Sequence, residues 1–155
     1  MLAYSTLKSI HMLGVVLFLG NIIVTGLWKY QADRTGNAAV IGFGQRLVTL
    51  TDWVFTFPGV VLILIGGYGM AAAGGLDLAG PWWLVVAQRL FITSGVIWVL
   101  ILIPIQVWQA RLARGFETGG EIPSLYWLLN RHWFFWGILA TIIPLANIYV
   151  MVAKP

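Results

Sequence analysis

The sequence predicts an all-α membrane protein: a bundle of four transmembrane helices with both chain termini on the outer, periplasmic side. Hydrophobic residues make up 60% of the 155 residues and charged residues only 9%, whereas a soluble domain carries about 25% charged residues. The mean hydropathy is +0.90. Four apolar runs also reach the roughly 20 residues that a spanning helix needs. No remaining stretch is polar enough to form a separate soluble domain.

The chain reads as one domain whose four spans are separated by three connections. The predicted spans are residues 4–28, 47–73, 82–108 and 125–152. The connection at 74–81 is short and carries Gly-Gly and Gly-Pro pairs, which are typical of turns. The connections at 29–46 and 109–124 are longer and polar. Asn37 is a suitable helix N-cap, so we expect a helix from there to extend the second span.

Glycines recur inside the spans, and small residues allow transmembrane helices to approach closely. We therefore expect close helix contacts at a set of six glycines: Gly14, Gly20, Gly59, Gly66, Gly67 and Gly137.

The basic residues predict the orientation. The two longer connections contain Lys29, Arg34, Arg46, Arg111 and Arg114. The opposite side has only Lys8, Lys154 and Arg89. The positive-inside rule therefore places the longer connections in the cytoplasm of a multi-pass protein of the bacterial inner membrane. The net charge of +4 is explained by this orientation, so nucleic acid is not an expected partner. The lipid bilayer is the expected one.

The chain has two histidines, His11 and His132, each about two turns into a different span. Ionisable side chains inside a bilayer are costly and mark functional sites by default. Because the two helices enter from opposite faces, the histidines are predicted to lie in opposite leaflets, roughly 12 Å or more apart along the membrane normal. A single haem held by both is therefore disfavoured.

The outer group of polar residues resembles a ligand site. His11 offers a neutral nitrogen ligand, and Lys8 lies three residues earlier on the same helix face. With Arg89, Lys8 can neutralise carboxylates. The alternatives are that His11 is a packed or interfacial histidine and that Lys8 extends to the interface.

Four methionines also map to the outer end: Met1, Met12, Met70 and Met151. Thioether and imidazole ligands together suit Cu(I) or a histidine–methionine haem. A methionine at a helix end is more often simply packed.

The inner group contains Arg46, Asp52, Arg131 and His132. A pair between Asp52 and either Arg131 or Arg46 would join the second helix to its neighbours, and His132 would bond a backbone or carboxylate group. The alternative is a second cofactor site, in which His132 and Arg131 take part, or a proton relay. Cysteine is absent, which excludes disulfides and thiolate metal sites.

Helix one and helix three resemble the HemJ-type protoporphyrinogen oxidases. The similar residues are Lys8, His11 and the run Phe18-Leu19-Gly20 in helix one, and Trp83 followed by Arg89 in helix three. The resemblance implies haem b, with His11 as its ligand. The CopD-like copper-resistance proteins are distantly similar. Where HemJ-type proteins have a lysine, this chain has Arg89, which cannot titrate near neutrality; haem binding is compatible with that change, whereas protoporphyrinogen oxidation is not implied.

Nearly the whole chain resembles the bacterial family labelled domain of unknown function 2269. The similar stretches are residues 11–28, 45–58 and 132–155, the last ending in Val-Ala-Lys-Pro. That family implies an integral membrane protein and no particular activity.

Three functions follow from these observations. The first is a haem-b-binding redox protein, an expected haem-dependent oxidoreductase that passes electrons to a quinone or a periplasmic partner. The second is a copper-binding or copper-transport protein that uses His11, Met12, Met70 and Met151. The third is a non-catalytic assembly subunit in which the histidines only pack. A homodimer is a further expectation, because a second copy would close the site of so small a bundle.

Overall fold

The computed structural model describes residues 2–154 as a bundle of four long helices. They are α1 (Leu2–Arg34), α2 (Ala38–Ala73), α3 (Trp82–Phe116) and α4 (Ser124–Ala153). All four are long and apolar enough to cross a membrane, and the described residues contain no strand. The predicted all-helical fold with four membrane-spanning helices is confirmed.

The helices run beyond the predicted spans, most clearly at the longer connections. Helix α1 continues to Arg34, and α2 begins at Ala38, so the connection between them is only residues 35–37. Gly36 turns the chain with a φ of +62°, which glycine adopts without steric cost. Asn37 then accepts hydrogen bonds from the backbone N–H groups of Ala39 (3.0 Å) and Val40 (3.3 Å). The predicted N-cap is confirmed.

Two helices contain a wider π-turn near the middle, and a proline explains each one's position. In α2, the π-segment Asp52–Thr56 precedes Pro58, and in α3 the segment Trp98–Leu102 precedes Pro104. Proline has no N–H and crowds the carbonyl four residues back. In the π-turn before each proline, a backbone N–H bonds the carbonyl five residues back, and this wider turn relieves the conflict without breaking the helix.

The closest helix contact joins α1 to the second half of α2 through glycines. A Cβ at Gly14 would lie 2.7 Å from Gly59 O, and one at Gly66 would lie 2.6 Å from His11 N. The glycine prediction is confirmed at Gly14, Gly59, Gly66 and Gly67. It is wrong at Gly20 and Gly137, where an added Cβ would meet nothing within 4 Å, because these two faces are not turned toward another helix.

The bundle is closed at one end and divided at the other. The connection end carries residues 35–37 and 117–123; the terminal end carries both chain termini and residues 74–81. At the connection end, Ala38–Thr51 packs against Ile103–Phe116, and α4 contacts both α1 and α3. Toward the terminal end, no described Cα atom of Trp82–Ile97 lies within 8 Å of one in α1 or in Phe57–Ala73. There the helices form two pairs, α1 with α2 and α3 with α4. The prediction that the connection end is cytoplasmic stays a prediction.

Candidate functional site

The most extensively bonded polar group in the bundle lies at the connection end and receives side chains from all four helices. We call it the Lys29 network. Its members are Lys29 and Asp33 of α1, Gln45 of α2, Gln109 of α3, and Tyr126 and Asn130 of α4. Every span therefore contributes at least one polar side chain to the same interior site, which makes it a candidate for function or for helix registration.

Lys29 lies at the centre of this network and is 1% exposed. Its Nζ donates to Gln45 Oε1 at 2.9 Å and to Tyr126 OH at 2.8 Å. The Asp33 carboxylate, one helical turn further along α1, is 3.6 Å from Nζ. The ammonium also lies over the rings of Tyr126 and Trp133, at 5.0 and 5.6 Å from their centroids. A buried cation is tolerated when it is paired and hydrogen-bonded in this way.

On the anionic side of the network, neutral side chains donate hydrogen bonds to the Asp33 carboxylate. Tyr126 OH donates to Oδ1 at 3.1 Å, and Asn130 Nδ2 donates to Oδ2 at 2.9 Å. Gln109 Nε2 in turn donates to Asn130 Oδ1 at 3.2 Å. Gln109 Oε1 is buried without a partner. Both ions of the pair are thus supported by neutral hydrogen bonds, the condition under which a buried salt bridge holds.

A second polar cluster surrounds Asp52 at the π-segment of α2. Asn21 Nδ2 donates to Asp52 Oδ1 at 3.1 Å and to Thr56 Oγ1 at 2.8 Å, and Thr56 Oγ1 donates to the same Asp52 oxygen at 2.8 Å. From the Lys29 network, Gln45 Nε2 donates to the backbone oxygen Gln106 O of α3 at 3.5 Å.

The expected ion pair of Asp52 with Arg131 or Arg46 is wrong. Arg46 is paired with Glu117, whose Cβ packs over Gly42. Arg131 is exposed on α4. The physical reason is helix register: Asp52 faces α1, where Asn21 and the nearby Thr56 of α2 satisfy it, while Arg46 and Arg131 lie at exposed positions.

His11 faces α2 near the terminal end. Its Nδ1 lies 2.9 Å from Ile63 O. A carbonyl oxygen can only accept, so this bond places the ring proton on Nδ1 and leaves the lone pair on Nε2. The ring also lies directly on Gly67, where an added Cβ would be 3.2 Å from Nδ1 and 3.3 Å from Cε1. The ring is thus fixed in both tautomer and plane.

The other predicted outer residues are dispersed around this histidine. Lys8 and Arg89 are both exposed, and they lie on different helix pairs. Met12 is 53% exposed and is directed away from the face of α1 that meets α2. Met70 follows Gly67 by three residues and so lies one turn further along the same face of α2. Met151 is half-buried in α4; Met1 lies outside the described residues.

The two predicted inner residues lie together but not in the interior. Arg131 and His132 are both exposed on α4 and line a surface groove. The expectation that His132 bonds an inward backbone or carboxylate group is wrong, because its position on α4 faces the bundle's exterior. The structure therefore separates His132 from His11.

The sequence reasoning missed the Lys29 network. Lys29 and Asp33 were read as part of a polar connection, and Lys29 as an orienting charge. One signal was available: a lysine and an aspartate four residues apart lie on one helix face and can pair. That face also carries Thr25 and Ala32, which are buried with it.

The described residues contain no group of three or more His, Asp or Glu side chains arranged to hold a metal ion. The histidine site can supply one neutral nitrogen ligand. The Lys29 network can hold a fixed ion pair. The Asp52 cluster surrounds the Asp52 carboxyl group with the neutral hydrogen-bond partners Asn21 and Thr56.

Comparison with known proteins agrees with this architecture. No curated protein and no solved structure matches the chain. A family model described as a predicted integral membrane protein matches residues 5–155, which is nearly the whole chain. The chain therefore belongs to the DUF2269 family of predicted integral membrane proteins.

Proposed function

We propose that this protein binds haem b in the bilayer, with His11, through its Nε2, as the residue that would hold the iron, and serves as a redox protein of the bacterial inner membrane. The carrying observation is the hydrogen bond from His11 Nδ1 to Ile63 O at 2.9 Å. Histidines that bind metals donate their second ring N–H to a carbonyl or carboxylate, which fixes the tautomer and raises the basicity of the ligating nitrogen. His11 has that arrangement in a membrane-spanning helix.

The glycines of α2 support the same proposal. A side chain at Gly67 would contact the His11 ring, and one at Gly66 would strike the backbone of α1. The imidazole is therefore held against a flat surface that limits its rotation. A ligand held rigidly before the cofactor arrives loses less conformational entropy on binding.

The terminal end also favours a bound group. The two helix pairs make no close backbone contact there and meet through side chains such as Phe91, so a flat cofactor would have to displace side chains but not closely packed backbones. Lys8 and Arg89 are exposed cations on different pairs, and each can neutralise a haem propionate. Haem would supply one-electron chemistry, with a potential set by the second axial ligand and by burial. Electrons would pass to a quinone or to a periplasmic partner.

The test is the visible spectrum of detergent-purified protein from cells supplied with haem, first air-oxidised and then reduced with dithionite. We expect a Soret band and sharp α and β bands. His11→Ala should lose them, and imidazole added to that variant should restore them. His132→Ala is the matched control, since His132 is exposed on α4 near the connection end, and its spectrum should be unchanged.

Two outcomes contradict the proposal. Colourless wild-type protein would exclude haem binding, and an unchanged spectrum in His11→Ala would exclude this ligand. A haem-free protein that retains one Cu(I), lost in both His11→Ala and Met70→Leu, would favour the copper alternative, because Met70 is one turn from the glycine beneath His11. A protein that binds neither haem nor copper, and that behaves as wild type when both histidines are replaced, would be an assembly subunit. Sedimentation in detergent can show whether it forms a homodimer.

A further inference from the structure

A groove on the outer surface of α4, near the connection end, has a volume of about 470 Å³ and combines two basic side chains with an apolar floor. We call it the Arg131 groove. Its lining residues are Leu128, Arg131, His132, Phe135 and Trp136. Their spacing of three and four residues puts them on one face of the helix. That face points away from the other helices, since Leu128, Arg131, His132 and Phe135 are all exposed.

The two basic residues of the groove lack a protein partner among residues 2–154. Neither the Arg131 nor the His132 side chain makes a hydrogen bond, an ion pair or a ring contact there, and no acidic residue lines the groove. Lys29, by contrast, is paired inside the bundle, and Arg46 is paired with Glu117. A guanidinium on the lipid face of a spanning helix is costly unless it reaches a counter-charge.

The direction of the helix identifies where that counter-charge lies. Side chains on an α-helix lean toward its N-terminus, so Arg131 and His132 lean toward Ser124 and the membrane surface at the connection end. Arg131 is seven residues from Ser124, or about 10 Å along the axis. A long arginine side chain spans much of that depth and places its head group at the level of lipid phosphates.

We propose that the Arg131 groove binds an anionic phospholipid, with the phosphate on Arg131 and His132 and an acyl chain running past Phe135 toward the centre of the bilayer. The charge is complementary, because a phosphate accepts parallel hydrogen bonds from a guanidinium. Trp136 lies about 18 Å from Ser124 along the axis, at the depth of the acyl chains, so its ring extends the apolar floor of the groove. The occupant is a lipid because the floor of the groove is apolar and lies on the bilayer side.

The test uses nanodiscs that contain phosphatidylcholine and phosphatidylglycerol in equal parts, with native mass spectrometry to count the lipids retained on the released protein. We expect wild-type protein to retain phosphatidylglycerol preferentially. A basic residue at an anionic membrane surface changes binding about fivefold, so Arg131→Gln should reduce the preference about fivefold. Arg131→Lys should keep part of it, because a point charge still attracts the phosphate. Arg114→Gln is the matched control, since Arg114 is exposed outside the groove.

Each other result overturns the proposal. Equal retention in wild type and Arg131→Gln would show that the groove does not select the lipid, and an equal loss in Arg114→Gln would indicate an effect of net charge alone. If inorganic phosphate added to the nanodiscs displaces the lipid at once, the site binds free anions and not a lipid. None of the three variants changes a residue of the proposed His11 site, so failure here leaves the His11 proposal untouched.

Discussion

Replacing Lys29 by methionine tests whether the Lys29 network holds the four helices in register. Methionine fills a similar volume without charge, so the variant removes the two hydrogen bonds to Gln45 and Tyr126 and the ion pair with Asp33. Gln45 Oε1 loses its donor, and the Asp33 carboxylate stays buried with only neutral partners.

The expected cost follows from these losses. Removing one partner of a buried ion pair costs about 3–5 kcal/mol, because an uncompensated charge remains. Polar contacts between membrane helices are weaker, about 0.6 kcal/mol on average, and Tyr126 and Asn130 still donate to Asp33. We therefore expect Lys29→Met to lower the free energy of unfolding by about 3 kcal/mol.

A double-mutant cycle isolates the ion pair itself. Asp33→Asn removes the negative charge and leaves an amide that can bond Tyr126 and Asn130. Lys29→Met combined with Asp33→Asn should cost less than the sum of the single variants, with a coupling energy of about 1.5 kcal/mol. Unfolding is followed by tryptophan fluorescence in mixed micelles titrated with SDS, since the chain has nine tryptophans.

The control for this cycle is Lys154→Met, which removes a lysine that lies over the Trp83 ring at the chain end and should cost about 1 kcal/mol or less. Costs that add to within about 0.5 kcal/mol would refute a coupled pair. A loss below about 1 kcal/mol in Lys29→Met would refute the role of the network in stability.

Two further predictions concern helix packing and the connection end. Gly14→Ala should lower the melting temperature of the detergent-solubilised protein, because the added Cβ would lie 2.7 Å from Gly59 O on α2. The control Gly20→Ala adds a Cβ that meets nothing within 4 Å, so it should leave the melting temperature unchanged or slightly raise it. Equal effects of the two variants would contradict the close approach of α1 and α2. Arg46→Gln should cost about 0–1 kcal/mol by the SDS titration, because Arg46 is 56% exposed and water competes for its side of the pair, although Glu117 is only 22% exposed. A larger loss would show that this pair is coupled to the helix interior.

The fold was predictable because the features that determine it are local. Apolar runs of spanning length give the four helices whatever their partners are, and Asn37 caps α2 through its own neighbours. Gly14 and Gly59 were recognisable as contact residues because small residues are enriched where transmembrane helices approach closely. Gly20 shows the limit of that reasoning: residue type alone does not say which face of a helix meets another.

The candidate site was predictable only in part. His11 was identified because a histidine in an apolar helix is conspicuous, but its bond to Ile63 O depends on the register of α1 against α2. Asp52 was assigned a cation, whereas the structure gives it Asn21 and Thr56. Lys29 was overlooked because it lies between Trp28 and Tyr30 at the end of an apolar run, where lysines usually orient a helix. Its partner Tyr126 is 97 residues away, a distance over which a single sequence carries no pairing information.

The two ends of the bundle have different physical demands, and the residue distribution follows from them. At the connection end, the buried ion pair of α1 is hydrogen-bonded by side chains of α2 and α4, and Gln109 of α3 bonds Asn130 of α4. A shift of α1 against its neighbours therefore breaks several hydrogen bonds to charged groups, each worth about 1.5–3 kcal/mol. At the terminal end, the two helix pairs separate, and only side chains such as Phe91 bridge Phe18, Leu19 and Ile63. A bundle held by polar bonds at one end can have looser backbone packing at the other without losing its register. Lys29→Met should therefore weaken the fold, whereas the haem proposal expects His11→Ala to change the spectrum and leave the Lys29 network in place.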